Sequence, residues 1–179
     1  MTDQELVVLL QIPDSREKAF VVLVSLYKER LYWLIRKIVI SHEDSDDVLQ
    51  NTFIKIFKNI EHFQGESQLF TWIYRIAINE SLSFLKTQSR RQHRTVESLQ
   101  KALTENLQAD IYFEGDDIQL KLQKAIAQLP EKQKLIFNMR YFDEIKFKDI
   151  SLILGTSEGA LKASYHIAVK KIEKLLSSH

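Results

Sequence analysis

The chain has 179 residues, no cysteine, four glycines, two prolines and a net charge of +1. Glycine and proline together make up about 3% of it, against about 12% in an average protein, and a β-sandwich or barrel needs a turn about every 8–12 positions, so an all-β fold is excluded. Without cysteine there is no disulfide framework and no thiolate metal site. A hydrophobic content of 45% suits a packed core, and the length allows one domain or two small ones. Met1 to Glu5 carry no basic leader, and no apolar run approaches about 18 residues. The expectation is an all-α, cytoplasmic protein with no membrane insertion.

Apolar spacing predicts the helices in order. A weak one covers residues 6–10. Phe20, Leu23, Val24, Tyr27, Leu31, Leu34, Ile35 and Ile38 recur at three and four and mark a buried helix face, with Pro13 and Asp14-Ser15 at its start. Leu49, Phe53, Ile56, Phe57 and Ile60 form the next, with Asp44, Asp46 and Asp47 favourably near its N-terminus. Gln64, Gly65, Glu66 and Ser67 break the pattern, and a third long helix runs over residues 68–86.

From residue 87 to 117 the periodicity fades, with a short helix near 99–107. Helices then follow at 118–128, 131–142, 147–154 and 157–176, with Pro130 in the first turn of the second of these. The domain reading is 1–91, an acidic linker 92–117, and 118–179. Charge is unevenly spread: Lys86, Arg90, Arg91 and Arg94 form a basic cluster, and Asp110, Glu114, Asp116 and Asp117 follow as an acidic stretch.

The C-terminal segment reads as helix, tight turn, helix. Gly155 suits the left-handed residue that ends the first helix, and Thr156 or Ser157 can cap the second. In that second helix Leu161, Tyr165, Ala168, Ile172 and Leu176 share one face. Lys162, Ala163, His166, Ile167 and Lys170 lie opposite, on a partly basic face that begins near the N-terminus. A helix-turn-helix places such a face in the DNA major groove, where Ile167 could touch a thymine methyl. An ordinary helical hairpin is the plainer alternative.

In the N-terminal half, His42 and the following acids do not make a metal site. The calcium-loop pattern is absent, and no second histidine lies at helical spacing. Asp44, Asp47, Asn51, Ile54, Lys55 and Lys58 instead share the side away from the core, which is plain surface or a docking face for another protein. Trp72, Arg75, Asn79 and Lys86 form one stripe ending at Arg90 and Arg91. That stripe is a track for single-stranded nucleic acid, or, at Trp72, simply core.

Together these residues resemble a family. Asp44, Asp47, Val48, Gln50, Asn51 and Phe53, then Phe63, Gly65, Ser67, Thr71, Trp72, Arg75 and Asn79, are similar to the bacterial sigma-70 family, extracytoplasmic-function (ECF) type. Leu129, Pro130 and Gln133, with Gly155, Ser157, Glu158, Gly159 and Lys162, match the second domain of the same family. The resemblance runs over nearly the whole chain, in the right order.

It implies a non-enzymatic promoter-specificity subunit with no cofactor, catalytic residue or metal. Its partners would be core RNA polymerase, promoter DNA and an anti-sigma factor. Asp47, Gln50 and Asn51, with Asp44 and Ile54 beside them, match the face that grips the polymerase clamp coiled coil. Phe63, the loop Gln64, Gly65, Glu66, Ser67, and Asn79 match the element that holds a base flipped from the −10 strand, with Trp72, Arg75, Lys86, Arg90 and Arg91 alongside. Lys162, Ala163, His166 and Ile167 match the positions that read the −35 element, flanked by Ser157, Glu158 and Lys170.

The acidic linker residues would thread a basic polymerase channel. Ser164, Ile167 and Val169 stand where many members carry Arg, which implies weak −35 binding by the second domain on its own. Asn51 stands where an acid is usual. Ile54 and Ile167 are candidate anti-sigma contacts, and the linker would let the two domains pack together and hide their DNA surfaces. The alternative at this stage is a freestanding helix-turn-helix regulator of duplex DNA.

Overall fold

The computed structural model describes residues 1–106 and 115–178. Leu107, Asp110 and Glu114, assigned above to the linker, lie outside them. Every long element among the described residues is a helix: α1 (Asp3–Gln11), α2 (Pro13–Val39), α3 (His42–Asn59), α4 (Leu69–Arg91), α5 (Val96–Glu105), α6 (Asp117–Ala127), α7 (Glu131–Tyr141), α8 (Phe147–Leu154) and α9 (Glu158–Ser177). A 3-10 turn, Ile60–His62, extends α3.

Local chemistry sets most of the ends. Thr2 and Glu5 form a reciprocal capping box on α1, with Thr2 N donating to Glu5 Oε2 at 2.8 Å and Glu5 N to Thr2 Oγ1 at 3.2 Å. Pro13 opens α2, where a missing N–H costs nothing. Ser15 does not cap that helix. It lies inside the first turn, and its hydroxyl donates to Leu9 O at 2.7 Å, tying α2 back to α1. Ser41 caps α3 through Asp44 N, and Asp116 caps α6 through Gln119 N at 2.8 Å. Pro130 sits one position earlier than expected, as the residue preceding α7, because its extended backbone ends the approach to that helix.

In the N-terminal half α2 packs on α1, α3 and α4. Leu23, Leu31, Leu34, Ile35, Ile56, Ile73 and Leu85 are fully buried there, which is what the three-and-four spacing demands. In the C-terminal half Ala125, Ile126, Leu129, Phe137, Ala168 and Ile172 form a second, smaller core. The Phe137 ring stacks on Tyr141 at 5.1 Å and on Tyr165 at 5.8 Å.

Two findings depart from the sequence reading. First, the stretch from 87 is not a free tether at its start. α4 continues to Arg91, and Thr95 then caps α5, whose Leu99, Gln100 and Thr104 are buried. Second, the halves do not stand apart. α8 packs on α4, α7 touches α2, and Leu135, Ile136, Met139, Ile150 and Ile153 join the core of the N-terminal half.

Candidate functional site

Three surfaces were expected, and the fold presents them unequally. On α3, Asp47, Gln50 and Asn51 are exposed, Ile54 is 51% exposed, and Asp44 is half-buried beside the Ser41 cap. The reason is helical: Val48, Leu49, Thr52, Phe53 and Ile56 turn inward, leaving the polar side out. Lys55, next on that side, pairs with Glu80 of α4 and so is held off the α3 face.

The second surface, around the turn into α4, is divided. Gln64, Gly65 and Glu66 are exposed and Ser67 is half-buried, and Gly65 takes φ +72°, a left-handed value that favours glycine. Phe63, by contrast, is buried. Gln11 Nε2 donates to its carbonyl at 2.7 Å, and its ring centroid lies 5.2 Å from that of Trp72, itself half-buried against the core. In this conformation Phe63 and Trp72 pack against each other rather than offering open ring faces. Asn79, Lys86, Arg90 and Arg91 are exposed along α4. Arg75 is exposed but engaged, its Nη2 donating to Leu152 O of α8 at 2.5 Å.

The third surface is the outer side of α9. Gly155 takes φ +66° and ends α8, with nothing within 4 Å of where a Cβ would sit. Ser157 caps α9 by accepting from Ala160 N at 3.3 Å, which selects it over Thr156. Glu158, Lys162, Ala163, His166, Ile167 and Lys170 are all exposed, while Leu161, Ala168 and Ile172 are buried. Ile167 is a large apolar residue left 46% exposed.

Sequence reasoning missed a fourth feature, a polar seam between the two halves. Lys37 of α2 pairs with Asp143, which follows α7. Gln100 of α5 donates from Nε2 to Ile38 O at 2.8 Å and accepts from Lys134 Nζ at 2.6 Å. Burial pushes the Asp143 carboxyl above its ordinary value, with Lys37 opposing. Burial likewise brings the Lys134 ammonium down to about 8, with Glu97 and Glu131 opposing. Asn138 Oδ1 and Asp143 Oδ2 meet no protein donor. Nothing in sequence separates Lys134 from a surface lysine, since its burial depends on α5 and α2 arriving from elsewhere.

No group of three His, Asp or Glu side chains among the described residues could hold a metal. No helix there is long and apolar enough to cross a membrane.

Comparison with known proteins gives these surfaces their setting. The family model for sigma-70 region 2 matches residues 23–91, and that for sigma-70 region 4 matches residues 119–172. The chain is 32% identical to the ECF RNA polymerase sigma-E factor of Haemophilus influenzae, over 97% of its own length and 94% of that protein's. This chain belongs to the sigma-70 family, as an ECF sigma factor.

It is also 30% identical to the RNA polymerase sigma-H factor of Pseudomonas aeruginosa, over 97% of this chain and 93% of that one. Two solved structures share the fold at 19% identity. One is CnrH in complex with the cytosolic domain of CnrY, at TM-score 0.70 over 98% of this chain and 97% of that one. The other is the sigma factor RpoE in complex with the anti-sigma factor NepR from Bartonella quintana, at 0.68 over 89% and 98%. As an ECF sigma factor the protein directs RNA polymerase to promoters and is not an enzyme. With both regions matched in order, the freestanding helix-turn-helix regulator is set aside. α2, α3 and α4 carry region 2, and α6 to α9 carry region 4.

Proposed function

We propose that the three surfaces divide the work of promoter recognition. The α3 face of Asp44, Asp47, Gln50, Asn51 and Ile54 docks on the clamp coiled coil of core polymerase. The loop Gln64 to Ser67, with Asn79, Arg75, Lys86, Arg90 and Arg91 along α4, takes the displaced −10 strand and favours melting by holding an extruded base. Unstacking costs a few kcal/mol, which such a pocket offsets without any covalent step. Phe63 and Trp72 support that loop from below. The outer side of α9, from Ser157 and Glu158 to Lys162, Ala163, His166, Ile167 and Lys170, enters the major groove of the −35 element. The functional units are residues 1–91, the linker 92–117 and residues 118–179. The protein works in the cytoplasm and is held in check by an anti-sigma partner that covers Ile54 and Ile167.

The observation that carries this reading is α9. Behind a left-handed glycine and a serine cap, every residue of α9 assigned to DNA is exposed, while Leu161 and Ala168 between them are buried and Tyr165 is half-buried. Ile167 breaks the outer face's polarity where a thymine methyl would lie. The test is co-elution with core polymerase on a size-exclusion column, comparing wild type with Asp47→Ala/Gln50→Ala. Wild type is expected to co-elute and the double variant to elute alone. Equal co-elution of both would overturn the α3 assignment.

A further inference from the structure

Residues 1–22 precede the stretch matched by the region 2 model, so the match gives α1 and its turn into α2 no part in promoter recognition. The fold gives them one. Leu6 and Leu10 of α1 are fully buried, and the helix lies against the Ile60–His62 turn from which loop 64–67 departs.

Two polar ties cross to that turn. Gln11, the last residue of α1, donates from Nε2 to Phe63 O at 2.7 Å and, more weakly, to Ile60 O at 3.4 Å. Arg16 of α2 pairs with Glu61, while its Nε donates to Leu10 O at 3.0 Å and its Nη2 to Gln11 O at 3.4 Å. Arg16 therefore holds the end of α1 in place as it reaches the turn, and Gln11 is fixed from behind.

The carbonyls that Gln11 meets are those a helix end leaves over. Ile60 O already accepts from Phe63 N at 3.2 Å, and Phe63 itself is extended, at φ −69° and ψ 111°. Loop 64–67 has little else to hold it. Among the described residues its side chains make one hydrogen bond, Ser67 Oγ to Gln68 O at 3.4 Å, and α4 begins without a side-chain cap.

A planar peptide moves as a unit, so swinging the Phe63 carbonyl swings Gln64 N with it and redirects the loop. Both ends of Phe63 are held against that. Its ring lies 5.2 Å from that of Trp72, and its carbonyl is held by Gln11. A loop held in its binding conformation spends less of its binding energy on being ordered.

We propose that Gln11 is a positioning residue for base capture: from outside region 2, its amide fixes the Phe63 carbonyl and so presents loop 64–67 to the extruded base of the −10 strand. This rests on the role given above to that loop. The requirement is a hydrogen-bond donor at the end of the side chain, which methionine lacks and a lysine ammonium supplies.

The test is binding of −10 single strands by the holoenzyme, read by fluorescence anisotropy. The strand comes from a promoter that wild-type holoenzyme selects from a random duplex pool. It is used intact and with one abasic site, at the position whose loss weakens wild-type binding most. Wild type is expected to favour the intact strand by at least about tenfold. Gln11→Met is expected to lose about fivefold on the intact strand and to stay within about twofold of wild type on the abasic one. Gln11→Lys is expected to return to within about twofold on both.

Equal loss on both strands, or loss on neither, overturns the positioning role, because support of the fold alone does not distinguish a base from its absence. A Gln11→Lys chain no better than Gln11→Met overturns it too. If Gln11→Met does not fold, Glu61→Ala decides, since it cuts only the outer tie at a side chain 49% exposed. A loss of about threefold confined to the intact strand supports the proposal, and an unchanged preference overturns it. A wild type indifferent to every abasic site overturns the reading of loop 64–67 itself, and does so before any variant is compared.

Discussion

Replacing Lys134 by Met tests the energetics of the seam directly. The side chain is 3% exposed, and burial holds its ammonium at about 8 where an exposed lysine has 10.5. Between those values the native form binds fewer protons than the opened or unfolded one. Native stability therefore rises as pH climbs above about 8, and the gain is lost as pH falls back through about 8. From about pH 7 to about pH 9.5 that single group contributes about 2 kcal/mol.

At pH 7 the variant escapes a burial cost of about 3 kcal/mol but leaves Gln100 Oε1 without its donor, at about 1–3 kcal/mol, so its net change there is small. Urea denaturation of both proteins across this range, compared as a difference, cancels the tyrosine titrations common to both. Wild type is expected to gain about 2 kcal/mol on the variant by about pH 9.5. Parallel pH profiles would refute the assignment of Lys134 as a buried cation of the native state.

The other predictions concern separate parts of the chain. Asp47→Ala/Gln50→Ala alters exposed side chains only, so unfolding free energy should stay within about 0.5 kcal/mol of wild type while polymerase binding is lost, as read by urea denaturation and co-elution. Ile56→Ala empties a fully buried site between α3 and its neighbours and should destabilise by about 2–5 kcal/mol in the same denaturation assay. Gly155→Ala meets no steric obstacle, so its cost of about 1 kcal/mol is that of a left-handed backbone alone; Gly155→Asn should recover part of it. Lys162→Ala should lower the salt dependence of −35 duplex binding by about 0.9 in log–log slope if that ammonium neutralises one phosphate, as a fluorescence-anisotropy titration over salt will show.

The local code of this protein is legible residue by residue. Apolar residues at three and four placed α2, α3 and α4, because a helix can bury only one stripe of its surface. Gly155, with Thr156 or Ser157 as the cap, marked the turn before α9, since each meets a backbone requirement that no tertiary contact needs to supply; the structure chose Ser157. The outward faces of α3 and α9 followed from the same periodicity, and the family resemblance attached to residues on those faces.

What lay beyond the sequence depends on surfaces meeting across distance. Trp72 reads as a nucleic-acid platform or as core, and only the tertiary fold brings the buried Phe63 ring, whose carbonyl is held by Gln11 at the end of α1, to 5.2 Å from it. Arg75 falls on a nucleic-acid stripe by spacing, yet its guanidinium reaches a carbonyl of α8, 77 residues away. Lys134 and Gln100 look like surface residues until α2, α5 and α7 converge on them. Periodicity tells a helix which side to bury; it carries no information about which distant polar group will be waiting there, and that choice was made by the tertiary fold.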